Sequence, residues 1–295
     1  MLRRGCAGLS AQGHVRSGRS HRHIAASHAS ALPTGLVKRS VLVAGGLLGA
    51  VLMPVGGLRG VATAAVASEI EKVLEDPKWP AQWPFKPSDF QRYDEQPDTQ
   101  FYSQPRFVTH IDDYAISALT KHYAQRFPPS GTPGTALLDI CSSWVSHYPD
   151  GYKADKVSGL GMNADELKRN PQLTDWLVAD LNKDPKLPYP DNTFDVVTNV
   201  VSVDYLNKPL EVFREMHRVL KPGGTAMMSF SNRCFPTKAI QLWTATADPD
   251  HVWIVGAYFH YSVPGGFTAP TAADISPKLG FRSDPMYVVS ATKVA

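Results

Sequence analysis

The chain has 295 residues, enough for one or two domains, and its formal charge of +3 is set by one end. Residues 1–67 carry eight of the 30 lysines and arginines and no acid, leaving 22 cations against 27 acids in the rest. A mildly acidic body has no basic footprint for nucleic acid, and Cys6, Cys141 and Cys234 are too few for a disulfide framework and lack metal-ligand spacing.

In chain order, residues 1–37 are rich in Arg, Ser, His and Ala, the composition of an organelle transit peptide. Lys38-Arg39 then precedes an apolar run, Val41 to Leu58, broken by glycines and Pro54, and Ala65-Val66-Ala67 forms an A-x-A cleavage pattern. The run is barely long enough for a bilayer, and its glycines weaken a helix. Residues 1–67 are therefore expected to be a targeting leader with no fold, and the mature form to have no stable membrane span. The arrangement resembles a thylakoid-lumen signal behind a chloroplast transit peptide. Lys38-Arg39-Ser40-Val41-Leu42 is similar to a twin-arginine signal whose first arginine is a lysine. A mitochondrial or stromal presequence is the alternative.

Residues 68–108 set Trp79, Trp83 and Phe85 among six prolines, which predicts an extended arm over the core; the competing reading is a mobile linker. Residues 109–295 form the main domain. Ile111 to Phe127 has helical spacing, with Ile116, Leu119 and Tyr123 on one face. Strands are predicted at Thr135–Cys141, Lys156–Met162 and Trp176–Leu181, with a helix Ala164–Arg169 capped by Asn163.

The most informative stretch is Phe194 to Asn232. A buried strand, Phe194–Val201, leads into an amphipathic helix with Leu210, Phe213, Met216, Val219 and Leu220 at spacings of three and four. Lys221-Pro222-Gly223-Gly224 is expected to stop that helix, and an apolar strand, Thr225–Ser231, follows. Strand–helix–strand with this crossover is a right-handed parallel unit. A helical, aromatic region from Pro236 to about Tyr261 and a last strand, Met286–Thr292, complete the chain. The class is α/β with a mostly parallel sheet, and ligands of such sheets bind at the C-terminal strand ends.

Leu137–Ser143 (LLDICSS), Leu187–Val197 (LPYPDNTFDVV) and Glu215–Gly224 (EMHRVLKPGG) resemble the class I S-adenosylmethionine-dependent methyltransferases, type 11 group. The resemblance runs from about Thr135 to Ser231. It implies a Rossmann-like, seven-stranded sheet ending in an antiparallel hairpin, with helices on both faces, and S-adenosylmethionine as co-substrate across the tips of the first four strands. Carried over, it puts Asp139 in the first motif and the family's Gly-x-Gly on Cys141, Ser142 and Ser143. It puts the acid for the ribose on Gly161, beside Met162, the adenine side on Asp180 and Leu181, and the floor beneath the cofactor on Asn199.

Two of the three defining contacts are thus altered. No glycine follows the first strand, where hydroxyls of Ser142 and Ser143 could donate instead, and no acid stands at 161. Asp139 and Asp180 each have a competing reading as turn-capping acids, and Asn163 as a helix cap. Asp204 and Tyr205, just past the fourth strand, are the candidates for acid–base chemistry, against a reading in which Asp204 is solvated in a turn and Tyr205 packs on the sheet. The expected function is methyl transfer to a small molecule. The alternative is a non-catalytic binding or assembly protein of the plastid that keeps the scaffold.

Overall fold

The computed structural model describes residues 68–278 and 283–295. The leader, with its predicted targeting and cleavage signals, lies outside the described residues. Seven strands, β1 (Ala136–Ser142), β2 (Lys156–Gly161), β3 (Asp175–Val178), β4 (Phe194–Val200), β5 (Leu220–Phe230), β6 (Thr271–Asp274) and β7 (Tyr287–Thr292), form one sheet. Their order is β3-β2-β1-β4-β5-β7-β6. β1 to β5 pair in parallel, and β7 pairs antiparallel with both β5 and β6. The strand order reverses between β1 and β4, which puts a ligand-sized crevice at their C-terminal ends.

The alternation of side chains along the strands separates two layers. Leu137, Val157, Val196, Met227 and Val288 face Ala115, Leu119 and Tyr123 of α1 (Asp113–Arg126). Leu138, Leu160, Val197, Met228 and Val289 face the opposite layer. A short helix, α2 (Ala164–Arg169), follows β2. The opposite layer contains α3 (Pro209–Val219) and α4 (Asp248–Ser262). Asp112 caps α1 by accepting from the N–H groups of Tyr114 and Ala115. α3 buries Pro209, Val212, Phe213, Met216 and Val219, the stripe its spacing predicts.

Three boundaries differ from the sequence reading. The Lys221–Gly224 turn lies inside β5: pairing runs Phe194 to Leu220, then Val196 to Thr225, so these residues bulge out of the ladder rather than cap α3. Gly223 has φ +80°, and a Cβ on Gly224 would sit 2.9–3.0 Å from three backbone carbonyl oxygens. The third strand ends at Val178, before Asp180. The region after β5 is broken into a short turn of helix, Gln241–Thr244, and α4. β6 was not anticipated, because TAAD carries little apolar signal and exists only as β7's edge partner.

The arm, residues 68–108, lies on this scaffold. Trp79 stacks on His260 (ring centroids 4.9 Å apart) and tilts against Trp253, while Trp83 packs edge-on to Phe85 and Tyr261. Further along, a buried charge cluster pins it. Asp98 accepts from Arg92 Nη1 through both oxygens (2.9 and 2.7 Å) and from Asn182 Nδ2 (2.9 Å), and Lys238 Nζ stands 3.2 Å away. Lys238 also donates to the carbonyl of Gln96 at 2.6 Å. Burial alone would raise the Asp98 carboxyl, but the hydrogen bonds from Arg92 and Asn182 outweigh it and hold it below its ordinary value. Asp98→Ala leaves the buried Arg92 and Lys238 with only their longer contacts to Glu95 (3.7 Å) and Asp94 (3.3 Å), so unfolding in denaturant should show a loss of about 3 kcal/mol. A loss within experimental error of zero would contradict the assigned role of the cluster.

Candidate active site

The site begins at the tip of β1. Asp139 is buried. Its Oδ2 accepts from Ser142 Oγ (2.6 Å) and Ser146 Oγ (2.7 Å), and its Oδ1 from Thr198 Oγ1 (3.1 Å). Burial pushes this carboxyl up to about 6, against those three hydroxyls. Asp139 therefore folds the 142–148 loop back onto the strand tips. Cys141, where the resemblance places glycine, keeps a left-handed backbone at φ +55°, and the β1–β2 ladder slips at this residue. Ser142 and Ser143 line the crevice, but their hydroxyls are already spent, on Asp139 and on Glu166 Oε2 (2.8 Å).

At the tip of β2, Gly161 has a steric reason to carry no acid. A Cβ there would lie 2.1 Å from the carbonyl oxygen of Ser142. An acid reaches the same neighbourhood from α2 instead. Asn163 Oδ1 caps that helix by accepting from the N–H groups of Asp165 and Glu166. Glu166 sits at the third helical position and turns its buried carboxylate into the crevice wall, where Oε1 accepts from the Arg106 N–H at 2.6 Å. Sequence reasoning missed Glu166, although Asn163-x-x-Glu166 is the spacing of a capping box, which directs the glutamate back towards the helix start.

Beyond β3, Asp180 Oδ1 accepts from the N–H groups of Asn182 (2.9 Å) and Lys183 (3.2 Å), a turn cap, while the residue also lines the crevice beside Leu181. Met162 lines it too. Asn199 does not: it is fully buried in β4 and donates to the Ile140 carbonyl at 3.3 Å. Asp204 is not solvated but sealed behind the wall, with no partner for Oδ2 among the described residues, and burial pushes its carboxyl up to about 8. Tyr205 reaches the wall, and its hydroxyl oxygen accepts from the Phe235 N–H at 2.8 Å.

These residues enclose a cavity of about 280 Å³ between the strand tips and the arm. The arm supplies Asp98, Tyr102 and Arg106, the stretch just after it supplies His110, and the loop after β5 supplies Arg233, Cys234 and Phe235. Both body cysteines are free thiols. Of the five non-glycine residues with left-handed backbone among the described residues, His110, Cys141, His147 and Val201 line this cavity, and Asn192 does not. Such conformations persist where the surroundings over-determine them, and they gather at functional sites. Burial depresses both histidines, His147 to about 4, so its ring is neutral near pH 7.

Residues 149–228 match the family model described as a methyltransferase domain. Over that stretch and in its sheet order, the chain resembles the class I methyltransferases. A demethylmenaquinone methyltransferase of Lysinibacillus sphaericus is 28% identical over 139 residues, covering 45% of this chain and 54% of that one. One of Listeria monocytogenes is 30% identical over 161 residues, 48% of this chain and 60% of that one. The chain thus spans little more than half of these relatives. A methyltransferase structure from Aquifex aeolicus, described as S-adenosylmethionine dependent, shares 18% identity at a TM-score of 0.43, covering 71% of this chain and all of that one.

The residues present fit an adenosyl sulfonium, since Glu166 and Asp180 offer carboxylate acceptors in a wall where Asp98 is already paired with Arg92 and Lys238 and the cations are Arg106 and Arg233. A second consequence concerns pH. An acid whose folded pKa is raised favours the protonated fold, so it weakens the protein as pH climbs from the ordinary 3.8 through about 8. Asp204→Asn mimics the protonated form. Its melting temperature should match wild type near pH 4 and exceed it by a widening margin towards pH 8; a margin independent of pH would refute the burial assigned to this carboxyl.

Proposed function

We propose that the chain is an S-adenosylmethionine-dependent methyltransferase acting on a small molecule, with the cavity between strand tips and arm as its active site. The observation that carries this is the acid-lined, strained cavity at the C-terminal tips of parallel strands. When bound, S-adenosylmethionine supplies an electrophilic methyl group on a cationic sulfur. Glu166, fixed by Ser143 and the Arg106 N–H, keeps free lone pairs to accept from the ribose hydroxyls in place of an acid at 161. Asp180 and Leu181 stand on the adenine side, and Cys141 to Ser143 stand at the amino-acid tail. The Tyr102 and Tyr205 rings suit a nearby cation. Methyl transfer is an in-line displacement, so orientation by these walls, with water excluded by the arm, is the main contribution asked of the protein. His110 and His147 are the wall imidazoles, and burial that lowers both makes them weak bases, so proton removal from the acceptor is left to solvent or to the acceptor's own acidity.

The second reading is a binding or assembly protein without catalysis. It is favoured by the β1 loop, whose Ser142, Ser143 and Asp139 are all satisfied within the protein. For location, a plastid, with the thylakoid lumen as the sub-compartment, accords with the acid-free leader; N-terminal sequencing of the mature protein should begin near Ser68.

Calorimetry with S-adenosylhomocysteine on the full chain separates the two functions. Glu166→Gln and Asp180→Asn should each weaken binding about tenfold, the scale of a lost charge-assisted hydrogen bond. Adenosine lacking both ribose hydroxyls should feel only the Asp180 change. Wild type that fails to bind S-adenosylhomocysteine would move the assignment to the non-catalytic reading, and variants that bind as tightly as wild type would remove Glu166 and Asp180 from the cofactor site.

A further inference from the structure

Among the charged side chains of the cavity wall, one buried nitrogen has no partner among the described residues. Each of the wall's four carboxylates accepts at least two hydrogen bonds within the protein: Asp98 from Arg92 and Asn182, Asp139 from three hydroxyls, Glu166 from Ser143 and a backbone N–H, and Asp180 from two backbone N–H groups. Of the two arginines in the wall, Arg233 donates to Asp284 Oδ1 at 2.8 Å. Arg106 is different. Its Nη2 donates to the Phe101 carbonyl at 2.8 Å, and its backbone N–H is held by Glu166. Its Nη1 has no acceptor among the described residues and is closed off from water.

The surroundings of that guanidinium are aromatic. It lies 4.4 Å from the centre of the Phe101 ring, 5.5 Å from Phe235 and 5.7 Å from Tyr102. His110 packs edge-on to Phe235 with centroids 5.4 Å apart. A charged donor that is desolvated and unpaired costs more than a neutral one, and cation–π contacts do not use its N–H groups. Phe235 follows β5, on the far side of the cavity from Glu166 and the tip of β2.

We propose that Arg106, with the Tyr102 and Phe235 rings that line the cavity beside it, forms a subsite for a planar, apolar molecule bearing a carboxylate-type oxyanion, and that the methyl acceptor belongs to this class. The carboxylate pairs with the Arg106 guanidinium, whose Nη1 turns out of its covered position to meet it, and the planar body lies against the Tyr102 and Phe235 rings. This rests on the methyl-transfer reading only in naming the occupant as the acceptor.

Benzoate and benzamide are matched probes with and without the charge. Titrated into the full-length wild type by ligand-observed NMR, with and without S-adenosylhomocysteine, benzoate should bind about tenfold more tightly than benzamide, the scale of a charge-assisted pair. The preference should vanish in Arg106→Gln, persist in Arg106→Lys at reduced strength, and be unchanged in Arg233→Gln. Equal binding of the two probes to wild type overturns the proposal without reference to any variant. So does displacement of benzoate by S-adenosylhomocysteine together with a weakening of the latter in Arg106→Gln, because Arg106 would then hold the cofactor's own carboxylate. Should wild type fail to bind S-adenosylhomocysteine, the methyl-transfer reading falls, while the benzoate preference and its loss in Arg106→Gln still decide the subsite.

Discussion

The site depends on one buried electrostatic contact, the grip of Asp98 on Arg92 and Lys238. Sequence neighbours alone do not make this contact. Arg92 and Asp98 belong to the arm, Lys238 to the loop after β5, and Asn182, which also donates to Asp98, to the turn after β3. Asn182 in turn donates to the Tyr205 carbonyl and accepts from the Asn207 N–H. The cluster thus ties the arm to the ends of β3, β4 and β5 at once. Burying three charges is costly unless all are paired. Here the pairing is near complete, and it decides where the arm lies.

That placement turns an open rim into a cavity. Strand tips alone would leave a shallow crevice; Tyr102 and Arg106 of the arm, with His110 just beyond it, supply the opposite wall. The same segment sets the electrostatics, because the Arg106 N–H orients Glu166, and Glu166 orients Ser143 at the β1 tip. The strain at His110, Cys141, His147 and Val201 is distributed round both walls. A backbone held in unfavourable conformations from two directions is the signature of a preorganised site rather than of a loosened scaffold.

How far the sequence could be read followed the range of the forces involved. The β4–α3–β5 unit and the Asn163 cap were legible, since periodicity and capping act within a few residues. The seven-stranded sheet with its antiparallel end followed from the family resemblance. Of the residues the resemblance pointed to, Asp139, Cys141, Ser142, Ser143, Gly161, Met162, Asp180 and Leu181 line one cavity, and Asn199 does not. The hydrogen-bond partners of the cavity residues were not legible, because Ser146, Thr198 and Glu166 reach them through the fold. Gly161 read as a missing acid, whereas the structure gives it a positive cause in the Ser142 carbonyl. Glu166 and Arg106 were invisible, since each acquires its role from a segment about 60 residues away. Asp204 read either as an acid–base candidate or as a solvated turn residue, because nothing local to it signals the burial that tertiary packing imposes.

The central claim is that an adenosyl ligand lies between the strand tips and the arm. Its most direct test is a crystal structure of the full chain grown with S-adenosylhomocysteine. The account predicts density for the nucleoside beside Glu166 and Asp180, roofed by Tyr102. A cavity filled by the side chains of Cys141 to Trp144, or ligand density elsewhere on the surface, would contradict it.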